Sequence, residues 1–246
     1  MCIGFAPSRT ITGIKVRVQS IKKQPAGMQA TDALRAEIIK GRILPGTRLT
    51  EIALAEQFEV SRGTVRVALQ QLSQEGLIIQ VPYTGWIVIP ISSHDAWELY
   101  TLRAALEALA ARLATEQLTD AGRTALGKSL DGLATACNQH NSRAVADADF
   151  RLHKTIISLA KHQRLANQYR LVEQQVRIYI ASNDALTMNY QNTIKFHTRI
   201  VEAILAGDAE QAAKLSEQHN LLDGESFVQH LRKIESMTNK AMLKAT

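Results

Sequence analysis

The chain has 246 residues, room for two ordinary domains, and 46% of them are hydrophobic, enough for buried cores. Two cysteines, Cys2 and Cys137, are too few for a disulfide framework, and no apolar run approaches the ~18 residues of a membrane span, so the expectation is a soluble cytoplasmic protein with no membrane attachment. The formal net charge is +6, but five basic residues (Arg9, Lys15, Arg17, Lys22, Lys23) stand before Ala30 without an acidic one, and residues 30–92 are balanced; charge alone therefore nominates no nucleic-acid-binding domain.

Residues 1–28 lack sustained periodicity and read as a basic, disordered tail, able at most to add nonspecific attraction for phosphate. Residues 29–90 have the order of a winged helix-turn-helix. Thr31 is expected to cap a first helix running to about Lys40, with Leu34, Ile38 and Ile39 inward and Gly41 as stop. After the Pro45-Gly46 turn, Thr50 caps a second helix over 51–58. Glu59-Val60 turns the chain, Ser61 caps a third helix to Glu75, and Gly76 ends it. Segments 77–81 and 86–89, rich in β-branched and aromatic residues, flank Pro82-Tyr83-Thr84-Gly85 as a two-stranded wing. A linker over 90–93 follows. Residues 94–240 then read as an all-α bundle, with helices near 94–116, 119–138, 141–160, 163–185, 191–206 and 208–238. Gly207 closes one helix, and Asp208 with Gln211 gives a capping-box pattern for the next. The fold class is mostly α: an N-terminal winged helix-turn-helix on a C-terminal all-α helical bundle.

In the third helix Val65, Ala68, Leu69 and Leu72 form one buried stripe. Arg62, Arg66, Gln70 and Ser73 share an adjoining face, and Arg62 and Arg66, one turn apart, point the same way from the first turns. A recognition helix brings its N-terminal residues to base edges, where an arginine fork suits guanine or phosphate. Ser61 and Thr64 at the helix start are positioned for phosphate. Arg48 is a weaker candidate, which could instead pair with Glu51.

Seven histidines punctuate the chain. Asp149 and His153 stand at i, i+4, so both can converge on one ion. His197 and His219 lie about ten residues before and eleven after the Gly207-Asp208 turn. In an antiparallel hairpin they sit nearly level, each on the order of 16 Å from the turn. One carboxylate and three imidazoles make a first shell for a divalent metal ion, Zn²⁺, Ni²⁺ or Mn²⁺, with positions open to a ligand. Packed or capping histidines are the alternative. His94, His140, His162 and His230 read as surface residues. Trp97 and Tyr100 read as packing between helices.

Several of these residues form a pattern. Gly41-x-x-x-Pro45-Gly46-x-x-Leu49-x-Glu51, Leu54-Ala55-Glu56, Val60-Ser61-Arg62-x-x-Val65-Arg66-x-Ala68-Leu69-x-x-Leu72 and Glu75-Gly76-Leu77 together resemble the GntR family of bacterial regulators. The resemblance implies that Arg62 and Arg66 contact operator DNA and that the wing glycine, Gly85, approaches the minor groove. Gly63, Thr64 and Val67 depart from the Thr, Pro and Glu usual there, which bears on the operator sequence. In the bundle, Leu99-x-x-x-Arg103-x-x-Leu106-Glu107-x-x-Ala110, Asp149-x-x-Leu152-His153 and His197-x-x-Ile200-x-x-Ala203-Ile204-x-x-Gly207-Asp208 with His219 resemble the FadR-type branch with its FCD effector domain. That likeness implies a metal held by Asp149, His153, His197 and His219, a small carboxylate effector beside it, and a homodimer formed by the bundles. Arg103, or less readily Arg177, is the cation to clamp the effector carboxylate, since a guanidinium fork grips two oxygens; an ion pair with Glu107 is the competing role for Arg103.

The reading is therefore a regulator of transcription that binds double-stranded operator DNA under control of a small carboxylate. Two alternatives stand beside it: a metal-dependent hydrolase built on the bundle, against which no HExxH-like motif supplies a general base, and a DNA-binding protein without an effector.

Overall fold

The computed structural model describes residues 25–82, 85–181 and 189–245, with side chains described as far as residue 237. The expected tail over 1–28 lies outside these residues up to position 24, as do Tyr83 and Thr84 of the wing turn.

The head begins with α1, Ala26–Ile39. It starts five residues before the expected cap. Thr31 is buried within it, and its hydroxyl donates to the Gly27 carbonyl at 2.8 Å, so a residue type that often marks a helix start here faces inward. Thr50 and Ser61 do cap α2 (Glu51–Phe58) and α3 (Arg62–Gln74), accepting from the backbone N–H of Ala53 and Thr64. Between them Glu59 takes a left-handed conformation, φ 53°, which makes the turn tight. The wing has three strands rather than two. β1 (Arg48–Leu49) pairs antiparallel with β3 (Gly85–Val88), which pairs antiparallel with β2 (Ile78–Val81). A two-residue strand has no period to read, which is why β1 escaped the sequence.

Six helices follow among the described residues: α4 (Ser93–Glu116), α5 (Asp120–Asn138), α6 (Ser142–Leu159), α7 (Gln163–Ala181), α8 (Tyr190–Ala206) and α9 (Ala209–Ala245). Their starts are set by side-chain caps from Ser92, Thr119, Asn141, Asn189 and Asp208. α4 and α9 run antiparallel along most of α4. Ser93 bonds Glu235, Tyr100 lies against Gly224, and Glu107 bonds Asn220.

Two apolar cores result. One fills the bundle around Leu126, Leu152, Ile156, Ile200 and Ile204. The other joins Leu34, Leu69 and Trp86 of the head to Tyr100, Val176 and Phe227 of the bundle. The head is thus seated on α7. Gly76, at φ 71°, lies against the Gln175 side chain, whose amide donates to the Gly76 carbonyl at 3.1 Å. A three-stranded sheet packed on helices at one end and a polar centre inside the helices at the other set out the two candidate sites.

Candidate metal centre and nucleic-acid interface

On α3 the buried stripe Val65, Ala68, Leu69 and Leu72 turns Arg62, Arg66 and Gln70 outward. The Arg62 and Arg66 side chains are 62% and 54% exposed. Both lean toward Glu51, the first residue of α2. Arg66 makes a two-pronged contact, Nε to Oε1 and Nη2 to Oε2, each 2.8 Å, and Arg62 Nη2 approaches Oε2 at 3.8 Å. The Arg66 hydrogen bonds, followed by the charges of Arg66 and Arg62, hold the Glu51 carboxyl below its ordinary range. Glu51 therefore aligns Arg62 and Arg66 and is not the partner of Arg48, which is exposed on β1. The Ser61 hydroxyl is engaged as the α3 cap and also contacts the Thr64 hydroxyl at 2.8 Å. Gly85 has φ 104°, and a Cβ there would stand 3.4 Å from the Leu49 carbonyl oxygen, so the strand geometry itself calls for glycine at this position.

In the bundle, Asp149 and His153 from α6, His197 from α8 and His219 from α9 each place a ligand atom within 4.8 Å of the others. The hairpin levels His197 and His219 as the spacing around Gly207 predicts, with ring centroids 4.4 Å apart. His197 Nδ1 donates to the Thr193 carbonyl at 2.7 Å, and His153 Nδ1 donates to Glu107 Oε2 at 2.5 Å. These bonds fix the tautomers and aim both Nε2 atoms inward, 3.0 Å from each other, with Asp149 Oδ1 2.9 Å from His197 Nε2. His219 is 4% exposed, yet neither ring nitrogen has a hydrogen-bond partner among the described residues. A buried polar group left so costs about 1–3 kcal/mol. Burial above all pushes its pKa well down, which leaves a neutral imidazole. Two converging imidazole lone pairs, a carboxylate and a buried imidazole whose nearest acidic neighbour, Asp223 Oδ2, stands 3.6 Å away together fit a divalent cation.

Around these four residues lies a second layer, of which sequence reasoning offered only the Arg103–Glu107 pair. Arg103 Nε bonds Glu107 Oε1 at 2.7 Å, and the Asn220 amide bonds Glu107 Oε2 at 2.9 Å. Burial opposes ionisation of Glu107, but Arg103 and then His153 outweigh it and hold the carboxyl well below its ordinary range. The signal in the sequence was an Arg and a Glu at i, i+4 inside an otherwise apolar and alanine-rich helix stripe. Arg103 thus takes the ion-pair role, and its Nη2 is left buried without a hydrogen-bond partner among the described residues. Arg177 is placed otherwise. Its guanidinium lies 3.9 Å over the Phe150 ring and bonds Glu173 at 2.9 Å and Asp147 at 3.2 Å. Its contacts are those of a packing residue on α7. Of the remaining histidines, His94, His140 and His162 are exposed and His230 is half-buried, and His162 Nδ1 accepts from Leu165 N at the start of α7. Tyr100 packs as expected, whereas Trp97 is 54% exposed and stacks on His94.

Comparison with known proteins agrees with both halves. The profile of bacterial regulatory proteins of the gntR family matches residues 27–88, and that of the FCD domain matches residues 98–221. The HTH-type transcriptional regulator YdhC of Bacillus subtilis (strain 168) is 25% identical over 214 residues, covering 87% of this chain and 94% of its own. The HTH-type transcriptional repressor RspR of Escherichia coli (strain K12) is 26% identical over 205 residues, 83% of this chain and 90% of its own. The solved structure of E. coli McbR/YncC superposes with a TM-score of 0.69 at 20% identity, over 83% of this chain and 99% of that one, a likeness of fold.

Proposed function

We propose, starting from the fact that this chain belongs to the gntR family of bacterial regulatory proteins and carries their FCD domain, that a divalent ion and a small carboxylate held in the bundle set its affinity for operator DNA. The chain is a transcriptional regulator and not an enzyme. Its sign is that of a repressor, as the name of its relative RspR suggests. It works in the cytoplasm; no described helix is long and apolar enough to cross a membrane.

Arg62, Arg66 and Gln70 read base edges in the major groove, Arg48, Ser61 and Thr64 hold phosphates, and Gly85 lets the wing backbone approach the minor groove. A homodimer presents two such heads to a two-fold symmetric operator. Exposed Leu102 on α4 and Leu221 and Leu222 on α9, at one level of the antiparallel helix pair, favour a bundle-to-bundle interface. Asp149, His153, His197 and His219 hold the metal, and their mixed nitrogen and oxygen donors suit Zn²⁺, Ni²⁺ or Mn²⁺. Bound there, the ion supplies a positive, Lewis-acidic centre for the effector carboxylate. Arg103 is the cation that clamps the carboxylate, because its free Nη2 is buried beside this centre; Arg177, committed to Phe150, Glu173 and Asp147, is not.

The observation that carries the reading is the convergence of four ligand atoms with an orphaned buried His219. Metal content after exhaustive dialysis, in wild type and His197→Ala, tests it. About one divalent ion per chain, lost in the variant, is expected, together with an operator affinity that changes when carboxylates are added. A folded, metal-free protein that binds operator DNA regardless of any carboxylate would leave an effector-independent DNA binder.

A further inference from the structure

Gly63 and Val67 are two residues of α3 that the packing of the head does not explain. With about 100° between successive residues, Gly63 lies roughly 170° from the middle of the buried stripe of Val65, Ala68, Leu69 and Leu72, and Val67 and Gln70 lie roughly 150° from it on either side. These three positions form the ridge of the helix farthest from the core. Val67 is 60% exposed, an apolar side chain on a face otherwise made of Arg66, Gln70, Gln71 and Gln74. Its β-branch restricts it in a helix, so neither burial nor helix propensity accounts for it. Gly63 is a second local misfit. It stands in the first turn of α3 with a right-handed helical backbone, where glycine is the weakest choice after proline. A Cβ there would meet only the Ser61 hydroxyl oxygen at 3.7 Å, an ordinary contact, so no neighbour among the described residues demands a glycine. Exposed apolar residues scattered singly are common. Two helix-disfavouring residues at i and i+4, on the crest of one exposed face, instead mark a surface shaped for contact.

We infer that Gly63 and Val67 together read a thymine: the bare backbone at Gly63 lets α3 sink into the major groove, and the Val67 methyls pack there on the C5-methyl group of the base. The inference rests on the reading of α3 as the DNA-contacting helix and gives that helix an apolar determinant. The chemistry follows from what the groove displays. The thymine methyl is the apolar feature of the major-groove edge, and a small apolar side chain is its complement. The neighbouring side chains leave that feature to Val67. Arg62 and Arg66 lie toward α2, both drawn to Glu51, where they suit guanine or phosphate, and the Gln70 amide suits adenine. Val67 stands on the other flank of the ridge from Arg66 and Gln70. Its side chain has no polar atom to desolvate, so pressing it against a methyl sacrifices no hydrogen bond with water. Val67 thus discriminates at one base pair and adds little to overall affinity for DNA.

The test uses the full chain. Preferred operator sequences are selected from a random duplex library, and each thymine is then replaced in turn by deoxyuridine, which lacks only that methyl. Affinities are read by fluorescence anisotropy at one fixed salt concentration for wild type, Val67→Ala, Val67→Thr and Gly63→Ala, alongside thermal unfolding of each protein alone. Removing the contacted methyl should weaken wild type roughly 4-fold per methyl, the worth of burying one such group. Val67→Ala, without its branch methyls, should bind the thymine operator more weakly and lose its response to uracil at that position, the mark of a direct coupling. Val67→Thr keeps one methyl and part of the response. Gly63→Ala should give opposite signs in the two assays: a higher Tm, because alanine suits the helix better, and weaker operator binding, because its Cβ holds the helix off the groove. If no uracil weakens wild type, or if wild type and Val67→Ala lose the same factor at every position, the thymine assignment is overturned while α3 remains a DNA-reading helix. Operator binding by Gly63→Ala as tight as that of wild type would overturn the role of Gly63. A library that yields no preferred sequence would overturn this inference and sequence-specific binding by the head together.

Discussion

Gly224 sits in the middle of α9, where alanine would ordinarily be the better helix residue by about 1 kcal/mol. Here the opposite sign is expected. A Cβ on residue 224 would lie 2.5 Å from Tyr100 Cβ and 2.8 Å from its Cγ. Tyr100 Cβ is fixed to the α4 backbone and cannot swing aside, so α4 and α9 would have to part by about 1 Å to recover a carbon–carbon contact of ~3.5–4.0 Å. Overpacking of this kind costs about 1–3 kcal/mol, and the short contact places it at the upper end. Set against the helix gain, Gly224→Ala should lose about 1–2 kcal/mol of stability, a fall in Tm of roughly 2–8 °C for a chain of this size. The damage should also reach the polar centre. Asn220 lies one turn before Gly224 and bonds Glu107 across the same crossing at 2.9 Å, and His219 is its neighbour. Metal affinity, read by competition with a chromophoric chelator, should drop alongside the urea midpoint followed by circular dichroism. A variant as stable as wild type with unchanged metal affinity would refute the argument, since it would mean that the close crossing of α4 and α9 neither strains nor positions anything.

Three further outcomes follow from the same contacts. Arg66→Ala should weaken operator binding by about 1–3 kcal/mol, ~5- to 150-fold, measured by fluorescence anisotropy at one fixed salt concentration, and more than Arg48→Ala does; equal losses on specific and random DNA would reduce Arg66 to a phosphate contact. Glu75, 3% exposed at the end of α3, receives two bonds from Arg35 at 2.7 and 2.8 Å. Burial raises its pKa, but the Arg35 hydrogen bonds and then Gln71 outweigh that and leave it below its ordinary range. Its folded pKa being depressed, its stabilisation is fully present above about pH 4.3 and is lost as pH falls through the lower folded value. Glu75→Gln should therefore be least stable relative to wild type at neutral pH, with the gap narrowing in acid; a gap independent of pH would contradict the pairing. Arg177→Ala should lower stability by about 1 kcal/mol through the lost stacking on Phe150, yet keep metal content and carboxylate binding; loss of carboxylate binding with metal retained would return Arg177 to the effector site.

The caps of α2, α3 and α9 were legible because Thr50, Ser61 and Asp208 act on their own backbone within three residues. The convergence of Asp149, His153, His197 and His219 was legible for a related reason: Asp149 and His153 share one helix face, and His197 and His219 mirror each other across Gly207, so local periodicity carries the geometry. Thr31 misled, since a buried threonine bonded back to Gly27 has the same sequence appearance as a cap. What lay beyond reach was pairing between distant helices. Nothing near Glu107 in the chain announces Asn220, and nothing near Tyr169 announces that its hydroxyl makes no hydrogen bond among the described residues. Glu51 was visible as a possible partner of Arg48 but not as the residue that holds Arg66, because that contact depends on how α2 crosses α3.

The shared apolar seam between Leu34, Leu69 and Trp86 on one side and Val176, Tyr100 and Phe227 on the other has a bearing on how this protein could be rebuilt. Ser92 caps α4 four residues after the last strand ends at Val88, and Gln175 is bonded to Gly76, so no slack tether separates the two halves. A chimera that grafts this head onto a foreign effector bundle at residue 90 would leave that seam wet. Interchange of sensors would succeed only if the α7 surface from Val172 to Tyr179 travelled with the head.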